Sequence, residues 1–210
     1  SVSQEAIDGA SDGDTIQIAA GTYSITSTID PGGKAVTIRG AVDGDGEPTT
    51  VLDGRGNRRV LSCTSNEDDT TVFENLRLAN GYEVNDSGGG VHLSGSSPRF
   101  DNCVFENNEA NQASIYAGGG GMYCENGSSP TLEDCTFTGN IATYGGGMYN
   151  RENSSPTLTN CTFTNNSADN GGGGMINSDN SNPTLTDGTF TGNTAGYGGG
   201  MYNKFDCIPT

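Results

Sequence analysis

The stretch GGGMYNRENSSPTLTNCTFTNN at residues 145–166 sets the organisation of this chain, because the same frame returns several times. Close copies occupy residues 119–140 and 172–193, a looser copy occupies residues 88–108, and GGGMYN at residues 198–203 begins a fifth. Phe137, Phe163 and Phe190 are separated by 26 and 27 residues. Self-similarity at a nearly fixed period is typical of solenoids, in which one structural unit stacks on the next.

One repeat predicts short strands joined by a tight bend. Cys161 and Phe163 are two residues apart and share one face of a strand, whereas Leu158 lies five residues before Phe163 and cannot point inward from the same strand. A bend is therefore expected at Asn160, since Asn and Asp tolerate the left-handed backbone conformation. The matching positions in the other repeats are Asn75, Asn102, Asp134 and Asp187.

Each repeat thus predicts three short strands per rung without an intervening helix, which describes an all-β fold, a parallel β-helix. Stacking the rungs aligns inward side chains into three ladders. The first ladder is Phe73, Phe100, Leu132, Leu158 and Leu185; the second is Leu78, Phe105, Phe137, Phe163 and Phe190; the third is Val91, Met122, Met148, Met175 and Met201.

A single β-helix is predicted over residues 1–210. Its rungs are irregular over residues 1–70 and regular over residues 71–203, while residues 204–210 either fold back as a plug or belong to a further rung. A short N-terminal helix is expected, with Ser3 as its cap and Ile7 covering the first rung, because an open sheet edge invites aggregation. The irregular segment 106–117 is either a specificity loop or a neutral insertion.

The composition narrows the classes of partner. A formal net charge of −17 argues against nucleic acid and anionic membrane surfaces. No stretch approaches the roughly 18 apolar residues of a membrane-spanning helix. Disorder is the alternative for such a Gly-rich acidic chain, but it would not keep apolar residues in register over five copies. No cofactor is predicted; Ca²⁺ is compatible with the charge, although no defined site for it emerges.

The cysteines leave two alternatives open. Cys103, Cys135 and Cys161 share one inward position of successive repeats, where they form either a column of buried free thiols, which we favour, or a disulfide between neighbouring rungs. The other three, Cys63, Cys124 and Cys207, follow no evident period. Six cysteines weakly favour an oxidising compartment.

Two alternating motifs carry a family resemblance. Phe-x-x-Asn begins at Phe105, Phe137, Phe163 and Phe190, and Gly-Gly-x followed by an apolar residue begins at Gly88, Gly119, Gly145, Gly172 and Gly198. The alternation resembles the FxxN and GGA-(I/L/V) repeats of the chlamydial polymorphic outer membrane proteins, although Gly stands here where those repeats favour Ala. Residues 3–54 resemble the amino-terminal coils of the pectin-lyase-like group. The resemblance implies a right-handed parallel β-helix that is secreted or displayed at the cell surface and serves in adhesion.

Two outward faces are candidate binding surfaces. The residues after the inward Val or Met should form an outward column, His92, Tyr123, Tyr149 and Tyr202, interrupted by Ile176. Such a column either binds sugar rings or a protein, or packs rung on rung and stiffens the sheet. A flat Thr-x-Thr array is expected from Thr136, Thr138, Thr162, Thr164, Thr189 and Thr191. The array resembles the ice-binding faces of solenoid antifreeze proteins, but Thr is also a common outward strand residue.

The sequence favours a structural or adhesive surface protein, part of a longer surface protein or a stacked assembly. The expected partners are other protein chains or cell-surface glycans, with end-to-end or homo-oligomeric stacking. The alternative is a carbohydrate-active protein, either a polysaccharide lyase or a sugar-binding module. Lyases of the pectin-lyase-like type need clustered carboxylates for Ca²⁺ and a basic residue beside a uronate. Because Arg99, Arg151 and Lys204 are isolated in the repeats, no catalytic residue is predicted.

Overall fold

The computed structural model describes residues 4–84, 86–110 and 118–210, and it begins with the expected helix. Helix α1 spans Gln4–Asp8, and its one buried residue, Ile7, is 1% exposed and packs on the core. The proposed cap, Ser3, lies outside the described residues. Lys34 Nζ donates to three backbone carbonyls at the end of the helix, those of Ile7, Asp8 and Ala10, at 2.7–3.0 Å. A cation at a helix carboxyl end is favourable because it faces the unpaired carbonyls.

After the helix, the described chain consists of short parallel strands joined by turns and loops. They are β1 (Thr15–Gln17), β2 (Gly21–Ser24), β3 (Thr37–Arg39), β4 (Thr50–Asp53), β5 (Leu61–Cys63), β6 (Val72–Glu74), β7 (Leu76–Ala79), β8 (Tyr82–Glu83), β9 (Val91–Ser94), β10 (Arg99–Asp101), β11 (Val104–Glu106), β12 (Glu109–Ala110), β13 (Met122–Glu125), β14 (Thr131–Glu133), β15 (Thr136–Thr138), β16 (Ile141–Tyr144), β17 (Met148–Asn150), β18 (Thr157–Thr159), β19 (Thr162–Thr164), β20 (Ser167–Gly171), β21 (Met175–Asn177), β22 (Thr184–Thr186), β23 (Thr189–Thr191), β24 (Thr194–Tyr197) and β25 (Met201–Asn203).

The strands stack into sheets that run along the solenoid, so the predicted parallel β-helix is confirmed. The first sheet has the order β1-β3-β6-β10-β14-β18-β22 and the second has the order β2-β4-β7-β11-β15-β19-β23. The third has the order β5-β9-β13-β17-β21-β25. Since β1 to β4 already pair with later strands, the irregular first 70 residues belong to the same stack.

All three predicted ladders are present, and each residue pairs with its expected neighbour on the next rung. In the second ladder the rings of Phe105, Phe137, Phe163 and Phe190 stack with centroids 4.3, 4.6 and 4.8 Å apart. The spacing matches the separation of neighbouring strands, about 4.8 Å. The core is therefore one continuous apolar column in which each rung covers the one beside it.

A fourth sheet, of order β24-β20-β16-β12-β8, adds a strand to the three expected in five of the rungs. It lies between the Phe-x-x-Asn motif and the next glycine run. Its inward residues are small: Ala110, Ala142 and Ala168 are at most 6% exposed. The sequence did not reveal this sheet because one alanine per rung gives no apolar alternation. The segment 106–117 contains β12, and its residues 111–117 lie outside the described residues.

The bends are left-handed where the sequence predicted them. The φ values are 57° at Asn75, 48° at Asn102, 53° at Asp134, 50° at Asn160 and 55° at Asp187. Asn and Asp adopt this conformation more readily than other non-glycine residues, because their short polar side chains bond locally. Glycine is required for another reason at Gly146, where an added Cβ would lie 2.4 and 2.7 Å from backbone oxygens of the adjacent rung.

The Asn of each Phe-x-x-Asn motif forms a buried amide ladder. For Asn166, Nδ2 donates to Phe137 O at 3.0 Å and to Asn193 Oδ1 at 3.0 Å, while Oδ1 accepts from the backbone N of Asn140 at 3.0 Å and from its Nδ2 at 2.9 Å. Asn140 makes the same four contacts one rung earlier. Asn108, one rung earlier again, donates to Leu78 O and to Asn140 Oδ1, and its Oδ1 accepts from the backbone N of Gly81. The Asn side chain therefore supplies hydrogen-bond partners for backbone groups at the point in each rung where the chain leaves the second sheet.

The cysteine column is a stack of thiols, as favoured: Cys103, Cys135 and Cys161 are free and buried. The expectation that Cys63 and Cys124 follow no period is wrong, because both pair with Leu93 in the third sheet and form one inward ladder with it. The tail does not fold back as a plug. Thr210 N bonds Pro183 O, and Thr210 O accepts from Leu185 N, which places the tail beside β22 in the next-rung position.

Candidate functional site

The tyrosine column points outward from the main core, as predicted, but its two middle tyrosines are buried and do not form an exposed binding surface. Tyr123 is 3% exposed and Tyr149 is 9% exposed, and both belong to a second apolar cluster with Ile176. The segment that enters each glycine run crosses over the column: a Cβ on Gly118 would lie 2.0 Å from the Tyr149 ring. Centroids of Tyr123 and Tyr149 are 5.4 Å apart, which is the rung-on-rung packing of the alternative interpretation.

A polar chain borders this second cluster. His92, which is half-buried, contacts Glu125 through Nε2 and Oε1 at 3.1 Å, and the Tyr123 hydroxyl donates to Glu125 Oε2 at 3.1 Å. The hydrogen bond with His92 holds the pKa of Glu125 below its ordinary value. Burial and the neighbouring Glu125 carboxylate raise the pKa of Tyr123, so its phenol stays protonated at neutral pH.

Two adjoining cavities open where the column meets the fourth sheet. The first, about 310 Å³, is lined by Tyr144, Tyr149, Arg151, Ser178, Asp179, Lys204 and Phe205. We call it the Arg151 cavity. The second, about 390 Å³, is lined by Tyr144, Asn170, Gly171, Tyr197, Tyr202 and Lys204. We call it the tyrosine notch. Tyr144 and Lys204 border both, so the two cavities form one groove with a cation at its centre.

The Arg151 cavity combines an aromatic wall with polar groups. Arg151 pairs with Glu152 at 2.5 Å, lies 3.9 Å from Asp179, and donates to the Tyr123 hydroxyl at 3.4 Å. The Tyr149 hydroxyl contacts Ser178 Oγ at 3.2 Å, and burial raises the pKa of Tyr149. A ring face beside a guanidinium and a carboxylate suits a ligand with one apolar face and several hydroxyl groups.

Tyr202 is the only member of the proposed tyrosine face that borders this groove and remains half-exposed among the described residues. Sequence analysis did not identify Tyr144, Tyr197 or Lys204 as part of a site. The available signal was the Tyr that directly precedes the glycine runs of residues 145–147 and 198–200. Its meaning depends on the fourth sheet, which the sequence pattern did not show.

The threonine array is in the predicted register. Its six residues, Thr136, Thr138, Thr162, Thr164, Thr189 and Thr191, pair rung by rung across β15, β19 and β23. The last two are exposed and the other four are half-buried. Ice binding by this face stays a prediction.

Within residues 4–84, 86–110 and 118–210, no three His, Cys, Asp or Glu side chains are grouped as metal ligands. In the same part of the chain, no helix is long and apolar enough to cross a bilayer.

Comparison with known proteins identifies the fold family. The family model described as right-handed beta helix region matches residues 55–207. No curated protein matches the chain, and no solved structure does.

Proposed function

Because the chain belongs to the right-handed β-helix family, we propose that it is an extracellular or cell-surface adhesive protein that binds glycans in the Arg151 cavity without cleaving them. The family match supports placement in the pectin-lyase-like β-helix group, whereas the closer resemblance to chlamydial surface proteins stays a prediction. Neither adhesion nor location follows from the fold alone. The proposal therefore depends on the site.

The observation that carries the proposal is the combination of Tyr144, Arg151 and Asp179 around one cavity of about 310 Å³. A sugar ring has an apolar C–H face that packs on an aromatic ring, and a rim of hydroxyl groups that bond to charged side chains. The rungs fix the backbone of this cavity, which lowers the entropy cost of binding. These features favour recognition of a carbohydrate over simple structural packing.

Binding without cleavage is part of this proposal, and the phenols beside the cavity are not the candidate base of the lyase alternative; the basic side chains that line the cavity are Arg151 and Lys204. A lyase needs a basic group that removes a proton beside a uronate. Burial raises the pKa of both Tyr123 and Tyr149, so neither phenol supplies that base at neutral pH. Turnover of a panel of uronate polysaccharides, with and without Ca²⁺, tests this part directly. Unsaturated products, seen by their absorbance, would overturn it in favour of the lyase.

Glycan binding is tested on an array of neutral and acidic saccharides, followed by calorimetry on the best ligand. Tyr144→Ala should weaken binding about fivefold, since one aromatic contact contributes about 1 kcal/mol. Arg151→Gln should weaken it further. The matched controls are Tyr82→Ala, in the same sheet away from the cavity, and Arg77→Gln, which pairs with Glu106 on the second sheet. Equal losses in variants and controls, or no ligand on the array, would overturn the proposal.

Ice binding is a second candidate because the six threonines of β15, β19 and β23 form an unbroken array. Freezing-point hysteresis measures it. Hysteresis that disappears in Thr162→Tyr would assign the function to this face, and a wild-type solution without hysteresis would remove the candidate.

A further inference from the structure

The tyrosine notch arises where the fourth sheet departs from its own repeat. Tyr144 of β16 pairs with Gly171 of β20, and Gly171 pairs with Tyr197 of β24. Neighbouring strands are about 4.8 Å apart, so two tyrosines flank a gap that Gly171 leaves open. The register shifts at this point on both sides of β20. A Cβ on Gly171 would lie 2.7 Å from the Tyr202 ring, so glycine is what lets Tyr202 pack there.

A positively charged side chain of the protein itself, that of Lys204, lies in the tyrosine notch. Lys204 Nζ lies 4.7 Å from the Tyr144 ring centroid and 5.7 Å from that of Tyr202. Tyr197 extends the aromatic wall, with its ring 6.0 Å from Tyr202. Within the described residues, Lys204 has no carboxylate at ion-pair distance. Its backbone N is held by Asn177 O at 2.8 Å, which fixes the main chain and leaves the side chain to these rings.

We propose that the tyrosine notch binds an alkylammonium group, and that Lys204 is a built-in competitor for it. Ring faces attract cations through their negative quadrupole, and aromatic walls of this kind recognise quaternary ammonium groups. The cavity of about 390 Å³ has room beyond the Lys204 head group. The net charge of −17 draws cations towards the surface. A methylated ammonium is larger and less hydrated than a lysine head group, so it fills the notch better.

The probe is tetramethylammonium, and its binding is followed by tyrosine fluorescence, which is readable because the chain has no Trp. Lys204→Ala should bind it about threefold more tightly than wild type, since an exposed cation–π contact contributes about 0.5–1 kcal/mol, which is a factor of about 2–5. Arg55→Asn is the matched control: it removes the same charge at an exposed residue with φ 59°, which Asn tolerates. Its affinity should stay within a factor of about 1.5 of wild type.

Tyr197→Leu should weaken binding without unfolding the protein, because Tyr197 is 66% exposed. Neutral tert-butanol, of similar shape, should bind much more weakly than the cation. Equal binding of the two probes, an unchanged affinity in Lys204→Ala, or no saturation by tetramethylammonium in either protein would overturn the proposal. Phosphocholine and a trimethyllysine peptide are then compared: tighter binding of the first assigns the group to a lipid or glycan headgroup, and tighter binding of the second assigns it to a protein.

Discussion

Replacing Asn166 by Ala tests whether the buried amide ladder holds the rungs together. The side chain of Asn166 is fully buried and makes four hydrogen bonds at 2.9–3.0 Å. Alanine leaves four polar groups without these partners: Phe137 O, Asn193 Oδ1, and the backbone N and Nδ2 of Asn140. Two of the four keep a second partner, since Asn193 Oδ1 still accepts from the backbone N of residue 166 and Asn140 Nδ2 still donates to Phe105 O.

The magnitude follows from those four groups. A buried hydrogen bond contributes about 1 kcal/mol net, and a buried polar group left unpaired costs about 1–3 kcal/mol. Partial relaxation and the entry of a water molecule lower the sum, so we expect Asn166→Ala to reduce the free energy of unfolding by about 4 kcal/mol. Such a loss is a large share of the roughly 5–15 kcal/mol of a typical domain.

Urea unfolding, followed by both far-ultraviolet circular dichroism and tyrosine fluorescence, measures the effect, and the two probes should report one transition. The matched control is the neighbouring Asn165→Gly. Asn165 is exposed with φ 55°, and the equivalent residues of the adjacent repeats are Gly139 and Gly192. We expect a change below about 0.5 kcal/mol for this control. A loss below about 1 kcal/mol for Asn166→Ala would refute the ladder as a principal stabilising element.

Three other expectations can be checked with the same preparations. Gly146→Ala should lower the free energy of unfolding by about 2–4 kcal/mol, because its Cβ would lie 2.4 Å from a backbone oxygen, whereas Gly44→Ala has nothing within 4 Å; equal urea midpoints would contradict this. Burial opposes ionisation of Glu67, but hydrogen bonds from two backbone N–H groups and a serine hydroxyl outweigh it and hold its pKa below 4.5. The ionised Glu67 carboxylate therefore stabilises the folded state above pH 4.5, and this stabilisation is lost as pH falls through the folded-state pKa. A urea midpoint that falls with acid in Glu67→Gln as much as it does in wild type would contradict that. A thiol reagent should label at most Cys207 in the native protein, since the other five thiols are buried, and all six after unfolding; fewer than six would reveal a disulfide.

The sequence alone determined the repeat, its ladders and its bends. A parallel stack places equivalent residues of successive rungs against one another, so a periodic Phe, Met or Asn has the same environment in every copy. The left-handed bends followed for the same reason, because Asn160 and its equivalents are all Asn or Asp, the residue types other than glycine that adopt a positive φ most readily. Local conformation and periodic burial are both encoded within one repeat.

The tertiary structure decided the fourth sheet and with it the site. The alternation of side chains along β17 correctly predicted that Tyr149 points away from the main core. Its ring is buried because the segment that enters the glycine run crosses over it, which the sequence pattern did not show. The groove depends on residues from different rungs, Tyr144, Arg151 and Lys204, which no single repeat contains together. Its notch exists because Gly171 replaces a tyrosine between two others. In the sequence, a glycine at this position looks like ordinary variation. It leaves a cavity only when the rungs are stacked, because the position without a side chain then lies between two tyrosines.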